Sequence, residues 1–260
     1  ESFIRGPYDY LKNKPGKELR TLLIAKFNNL LKVEPASALS LVESIVDILH
    51  TASLLIDDVE DSANLRRGSP VSHAIFGVPM TINSSNYMYF IAMFQCLQLS
   101  NSSNKIFIEE MINLHRGQGL DLYWRESLIC PTEQEYIDMV MNKTGGLFRL
   151  AVRLLQEQSK LKVDLVPFAN LLGIIYQIRD DYCNLTTYSK NKGYCEDITE
   201  GKFSFPVVHA INSGENGNKE LMNILKLRTE SEDLKKYVVE EILQKKTNSF
   251  KYCEDTLNTL

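Results

Sequence analysis

The sequence predicts an all-α protein, and three observations carry that prediction. Apolar residues recur at helical spacing almost throughout the 260 residues, strand-like alternation is nearly absent, and two acid-rich segments sit inside otherwise apolar helical runs. Those segments are Asp57-Asp58-Val59-Glu60-Asp61 and Asp180-Asp181-Tyr182-Cys183-Asn184. With 44% hydrophobic residues the chain can fill one large core, so a single all-helical domain over 1–260 is expected.

The elements follow in order. Ala36 to about Asp61 reads as one long helix, with Leu39, Val42, Val46, Leu49 and Leu54 three or four apart and Pro35 at its start. Helices are expected over Ile82–Leu99, Ile106–Trp124 and Glu133–Gln156. Thr132 followed by Glu135 makes a capping box for the third of these, and Gly145-Gly146 inside it predicts a kink or a close backbone approach. Val166–Leu185 is another helix, and Phe203–Ile211 opens a further one at Pro206. From Glu220 onward charged and apolar residues alternate as on surface-packed helices. Short polar text at Ser100–Asn104 and Gln158–Lys162 joins long helices.

Composition narrows the function. A formal charge of -4 without a domain-wide basic excess argues against nucleic acid as a partner. The five cysteines are odd in number and form no Cys-x-x-Cys pair, which suits a reducing compartment, and four histidines at unsuitable spacings argue against zinc. No signal or transit peptide is visible and no run approaches the roughly 20 apolar residues of a transmembrane helix. The expected location is cytoplasmic, with peripheral membrane association left open.

The chemistry lies in the acids. Carboxylates among leucines and isoleucines are costly to bury unless each finds a cation. Asp57 and Asp61 are four apart, so they share one helical face, with His50 on nearly the same stripe two turns earlier. Gln177, Asp180 and Asn184 share a face by the same arithmetic, with Asp181 to one side. Two such helices facing one another would offer oxygen ligands to Mg²⁺. That ion is typically held by one or two carboxylates plus substrate phosphates, so a polyphosphate ligand is implied. Arg66, Arg67, Lys143, Lys192, Lys202 and the early pair Lys17 and Arg20 could supply its counter-charges. An acidic run closing a helix is more often a solvated face; the second cluster on another apolar helix argues against that here.

These residues resemble the motifs of the trans-isoprenyl diphosphate synthases, and within that family the eukaryotic, fungal-type geranylgeranyl diphosphate synthases. Asp57 to Gly68 matches the first aspartate-rich motif and Gln177 to Asn184 the second. Pro15-Gly16-Lys17 with Arg20, Gly117-Gln118-Gly119-Leu120-Asp121, Lys143-Thr144-Gly145-Gly146 and Gly201-Lys202 fit further blocks in the expected order. The resemblance covers roughly Pro15 to Ile211 and implies a helical bundle around a deep central cavity.

It also implies roles. Asp57, Asp58 and Asp61, with Asp180 and Asp181, would bind a cluster of Mg²⁺ ions that grips an allylic diphosphate. Arg66, Lys143, Thr144, Gln177, Lys192 and Lys202 would surround that diphosphate, and Gly16, Lys17, Arg20, His50 and Arg67 would hold isopentenyl diphosphate without metal. The expected product is geranylgeranyl diphosphate, formed through an allylic carbocation by a homodimer or higher homo-oligomer. Asn184 departs from the usual closing aspartate, which loses a charge but keeps an oxygen acceptor. The small Ala52 and Ser53, one turn before Asp57, would leave a channel for the growing chain, with Tyr89, Phe90 and His115 as its floor. Other readings are a non-catalytic regulatory subunit, a synthase of different chain length, and a terpene cyclase, which would not carry the isopentenyl set.

Overall fold

The computed structural model describes residues 1–16, 19–161, 163–187, 193–214 and 218–260, without the side chains of 19, 20 and 218. They divide into two compact units, Glu1–Leu114 with Gly145–Asn170, and His115–Thr144 with Leu171–Leu260. The all-α expectation holds, with one two-residue hairpin as the only sheet among the described residues.

The first unit opens with α1 (Ser2–Lys12), α2 (Leu19–Leu31) and α3 (Ala36–Glu60). The hairpin β1 (Leu65–Arg66) and β2 (Ser69–Pro70) follows, then α4 (Ser72–Phe76) and α5 (Val78–Cys96). Its remaining parts are the start of α6 (Asn101–Ser127), α8 (Gly145–Glu157) and the first residues of α9 (Val166–Thr186). The helix α3 organises this unit. Val42, Ile45, Leu49, Ala52 and Leu55 recur three and four apart and are all buried, each larger side chain contributing about 1.5–3 kcal/mol. They pack chiefly against α5, where Ser85 Oγ donates to the Ala52 carbonyl at 2.8 Å, and also against α8.

By length and composition alone α3 could cross a membrane, although Glu43, Asp47 and His50 interrupt its apolar text. Ten of its residues are nevertheless buried inside the unit, as in the core helix of a folded domain. A clamp of charges joins α6 to α8. Glu110, 2% exposed, accepts from Arg149 Nε at 2.9 and 2.8 Å and from Arg153 Nη1 at 2.6 Å.

The second unit holds the rest of α6 and α9, with α7 (Glu133–Lys143), α10 (Glu196–Thr199), α11 (Phe205–Asn212), α12 (Asn218–Leu227) and α13 (Glu232–Tyr237). A π-helix, Val238–Lys246, and α14 (Ser249–Thr259) complete it. The capping box on α7 forms as expected, with Glu135 N donating to Thr132 Oγ1 and Thr132 N to Glu135 Oε2. Apolar α11, with Pro206 in its first turn, is buried against α7, α12 and α14.

The helix expected over Glu133–Gln156 is two helices, broken at Thr144. The glycine pair opens α8, and a Cβ on Gly146 would meet Glu110 O at an ordinary 3.8 Å. The close approach falls instead at Gly117 on α6, where a Cβ would lie 2.9 Å from Asn142 C and collide with the Lys143 amide.

Candidate active-site residues

In the first unit, α3 ends in the acidic motif and the hairpin turns Arg66 back onto it. Arg67 (φ 55°) and Gly68 (φ 73°) occupy the two central positions between the paired residues Arg66 and Ser69. Positive φ at both is the geometry of the tight hairpin turn whose twist matches its strands. Arg66 Nε then donates to Asp58 Oδ1 at 2.6 Å and Nη2 to Asp57 Oδ2 at 3.0 Å.

Burial pushes the Asp58 carboxyl up to about 6 although Arg66 pulls the other way. For Arg66, burial works against the charge, but Asp57 and Asp58 outweigh it and hold the guanidinium firmly protonated. The carboxylate of Asp57 is 26% exposed and that of Asp58 1%. Asp61 caps α3, its amide donating to the Asp57 carbonyl at 2.8 Å. Asp58 Oδ2 is buried with no hydrogen-bond partner among the described residues. Carboxylate oxygens, one of them buried and unsatisfied, are the donor chemistry a hard divalent cation takes, although among the described residues no three such groups are placed to hold one without further ligands.

Gly16, His50 and Arg67, expected to hold isopentenyl diphosphate, all lie in this unit. Arg67 Nη1 donates to Leu11 O at 3.3 Å and Lys14 O at 3.0 Å, and a Cβ on Gly16 would stand 3.1 Å from Arg67 Nη2. Gly16 is therefore where the backbone lies against this guanidinium. Burial, then Arg66, lower the Arg67 pKa. His50 lies on α3, its carbonyl accepting from Ser53 Oγ at 2.9 Å. Lys17 lies outside the described residues, as does Lys192 of the allylic set, and of Arg20 only the backbone, on α2, is described.

Of the chain-length residues, Ala52 is fully buried and Ser53 half-buried. Tyr89 is half-buried beside Ser85, and burial pushes its phenol up to about 12 while the Ser85 hydrogen bond lowers it. Phe90 is 70% exposed on α5 and His115 is exposed on α6.

The second unit carries a denser set. Lys143 Nζ meets Asp121 Oδ2 at 2.5 Å, and Arg125 Nε lies 3.8 Å from Asp121 Oδ1. Burial raises the Asp121 pKa, but Lys143, Arg125 and Lys202 outweigh it and bring it below the ordinary value. Thr144 Oγ1 donates to Gln177 Oε1 at 2.5 Å. Lys202 Nζ lies 3.3 Å from Asp181 Oδ1 and 3.5 Å from Asp197 Oδ1, and despite burial these carboxylates hold it well above the ordinary lysine range.

Asp180 is half-buried on α9. Asp181, expected beside it among the metal ligands, is instead 0% exposed and turned to four protein donors. Asn184 accepts from the Asp197 amide at 3.2 Å, so the residue that departs from the motif ties α9 to the start of α10. Asp121, inside a quoted motif block, and Asp197 and Tyr136 were missed as site-building residues; only Asp121 carried a signal, its place four residues after Gly117.

These arrangements belong to a chain of the polyprenyl synthetase family, whose profile matches residues 1–242. Among curated relatives, a geranylgeranyl pyrophosphate synthase (atmG) of Aspergillus flavus is 56% identical over 99% of this chain and 75% of its own length. Another (dpmpD), of Macrophomina phaseolina, is 54% identical over 100% of this chain and 80% of its own, and a third (cle6), of Aspergillus versicolor, is 53% identical over 100% and 70%.

Proposed function

We propose that the chain condenses farnesyl diphosphate with isopentenyl diphosphate to form geranylgeranyl diphosphate. The observation that carries this reading is similarity over essentially the whole chain to relatives bearing that name, combined with both acidic motifs and their basic companions. Asp57, Asp61 and Asp180 would hold Mg²⁺ together with the allylic diphosphate. Bound there, the metal supplies positive charge that favours departure of the diphosphate.

The chain's own cations act on the same group. Lys143 and Lys202 would act as point charges and Arg66 as a fork for phosphate oxygens, offsetting the negative charge that develops as the allylic C–O bond breaks. Gly16 and Arg67, with Lys17, Arg20 and His50, would fix isopentenyl diphosphate so that its double bond faces the allylic cation, converting a collision into an oriented encounter. The new carbon–carbon bond forms from that π pair, and the proton lost to restore a double bond leaves with the diphosphate. No side chain is required as a nucleophile.

We further propose a homodimer. Phe90, Phe94 and Leu97, spaced four and three apart on α5 and its end, are 70%, 65% and 55% exposed, an apolar stripe suited to a second copy.

The test is incubation of purified protein with farnesyl and isopentenyl diphosphates and Mg²⁺, followed by product sizing and by light scattering for the mass in solution. A twenty-carbon product is expected. A fifteen-carbon product from shorter starters would overturn the chain length, cyclised product would favour a cyclase, and an inert pure protein would favour the regulatory subunit.

A further inference from the structure

Asp181 is surrounded in a way its neighbour in the motif is not. Its Oδ1 accepts from Gln177 Nε2 at 2.7 Å and from Lys202 Nζ at 3.3 Å. Its Oδ2 accepts from Tyr136 OH at 2.6 Å and from the Phe205 backbone amide at 2.8 Å. An ionised carboxylate offers about four lone-pair sites, and four donors occupy them here. The side chain is 0% exposed.

The network continues outward. Because Gln177 donates through Nε2 to Asp181, its Oε1 is oriented to accept, and it does so from Thr144 Oγ1. One buried carboxylate thus sets Lys202 directly, Gln177 directly and Thr144 through Gln177. Its anchor is Tyr136, a residue of α7 with 1% exposure whose ring packs 5.4 Å from that of Phe205. Neither acidic motif contains Tyr136, and its hydroxyl reaches the carboxylate that Lys202 and Gln177 share and to which Thr144 is linked through Gln177.

We propose that Asp181 is a positioning residue for the diphosphate-contacting side chains Lys202, Gln177 and Thr144 and not a metal ligand, and that Tyr136 is the second positioning residue, holding Asp181 in place. The inference rests on the reaction proposed above. It predicts a division of labour inside a single Asp-Asp pair, Asp180 serving metal and Asp181 serving the cation and amide beside it. Replacing Asp181 by Asn would set an amide N–H₂ against a pair of donors on one side, since both carboxylate oxygens face donors only.

The test compares Tyr136→Phe, Asp181→Asn and Asp180→Asn with the wild type. Calorimetry measures binding of a slowly ionising thio analogue of farnesyl diphosphate, first at saturating Mg²⁺ and then across a Mg²⁺ series. Isopentenyl diphosphate binding in EDTA and thermal melting report the fold. Tyr136→Phe should bind the analogue about three- to tenfold more weakly at saturating Mg²⁺, with the Mg²⁺ midpoint and isopentenyl diphosphate binding unchanged and the melt lowered by the loss of one buried hydrogen bond. Asp181→Asn should weaken it further in the same pattern, while Asp180→Asn should move the Mg²⁺ midpoint upward.

An Asp181→Asn midpoint that moves as far as that of Asp180→Asn, with full affinity regained at high Mg²⁺, would make Asp181 a ligand and overturn the proposal. So would a Tyr136→Phe protein that matches the wild type in affinity, or that loses only thermal stability. If Asp181→Asn does not fold, Tyr136→Phe decides alone, because it removes one oxygen atom from an intact ring. A wild type that binds isopentenyl diphosphate but no analogue at any Mg²⁺ concentration is a separate result. It overturns the proposed reaction, and the positioning roles with it.

Discussion

The acid set at the end of α3 and the acid set of the second unit use aspartate in opposite ways. Asp58 and Asp121 are almost equally sealed, at 1% and 2% exposure. Asp58 is pushed up to about 6, whereas Asp121 is held below the ordinary value of 3.8. Burial raises both, and the number of cations decides the outcome. Arg66 is divided between Asp57 and Asp58, while Asp121 feels Lys143, Arg125 and Lys202 together. The first unit therefore offers under-neutralised oxygens at a helix end, suited to attracting a metal. The second unit offers cations whose places are fixed by buried carboxylates, suited to meeting an anion.

The sharpest break of that contrast is at Asp57. If the first set is the metal-binding one, Asp57→Asn should lower kcat by about 100- to 1000-fold at fixed Mg²⁺. Isopentenyl diphosphate binding in EDTA should be kept, since Arg67 and Gly16 are untouched. Steady-state kinetics and calorimetry read the two effects, and a loss under tenfold would move the metal role elsewhere. Next in size is Gly117→Ala. Its Cβ would meet backbone rather than a yielding side chain, 2.9 Å from Asn142 C, so the last turn of α7 must shift and carry Lys143 with it. A stability loss of about 1–3 kcal/mol in denaturant melts and a fall in kcat larger than that in isopentenyl affinity are expected. A variant as stable and as fast as the wild type would show that α6 and α7 have room to spare.

The same two regions show how far the sequence could be read. Long helices with strict spacing, α3 above all, were legible because every third or fourth residue had to be apolar to be buried. The Thr132–Glu135 cap was legible because its chemistry is local. The hairpin that aims Arg66 was not, since Arg67-Gly68 lacks the usual Asn or Asp at the first left-handed position. The break at Thr144 was legible only as a kink at Gly145-Gly146, because apolar spacing continues through it on both sides. The site residues that went unread, Tyr136 and Asp197, act through partners 45 and 5 residues away in contacts that only the fold creates. Asp181 was read by its place in a motif, but its direction depends on which face of α9 meets α7.

A smaller effect separates two adjacent aromatics of α5. Tyr89 is half-buried near Ser85, which is bonded to the α3 turn bearing Ala52 and Ser53, whereas Phe90 is turned outward. Tyr89→Ala should add longer products, read by chromatography of the dephosphorylated alcohols. Phe90→Ala should leave length unchanged and weaken self-association, read by dilution light scattering. Equal lengthening by both would place Phe90 on the channel after all.

The smallest effect is a slope, and it tests the comparison at its origin. The folded value of Asp58, about 6, lies above the ordinary 3.8, so between these pH values the folded chain keeps a proton that the unfolded chain has lost. This residue's contribution to stability is therefore greatest at low pH and falls as pH rises from about 4 to about 6, by at most about 3 kcal/mol, then levels. Asp121 runs the other way, its depressed value giving stability that is present above 3.8 and lost as pH falls below it. Melts of the metal-free protein from pH 4.5 to 7 cover most of the first window and lie above the second, so they separate Asp58 from Asp121. His73 and His209, both lowered by burial, add a rise with pH that the wild type and both variants share. Asp58→Asn, which keeps an oxygen for Arg66 Nε, should lose the decline that the wild type shows across this range. Asp121→Asn should keep that decline while lowering stability at every pH, because Lys143 and Arg125 then face a neutral amide. Parallel curves for the wild type and Asp58→Asn would mean that Arg66 neutralises Asp58 as fully as three cations neutralise Asp121, and the distinction between the two acid sets would fall.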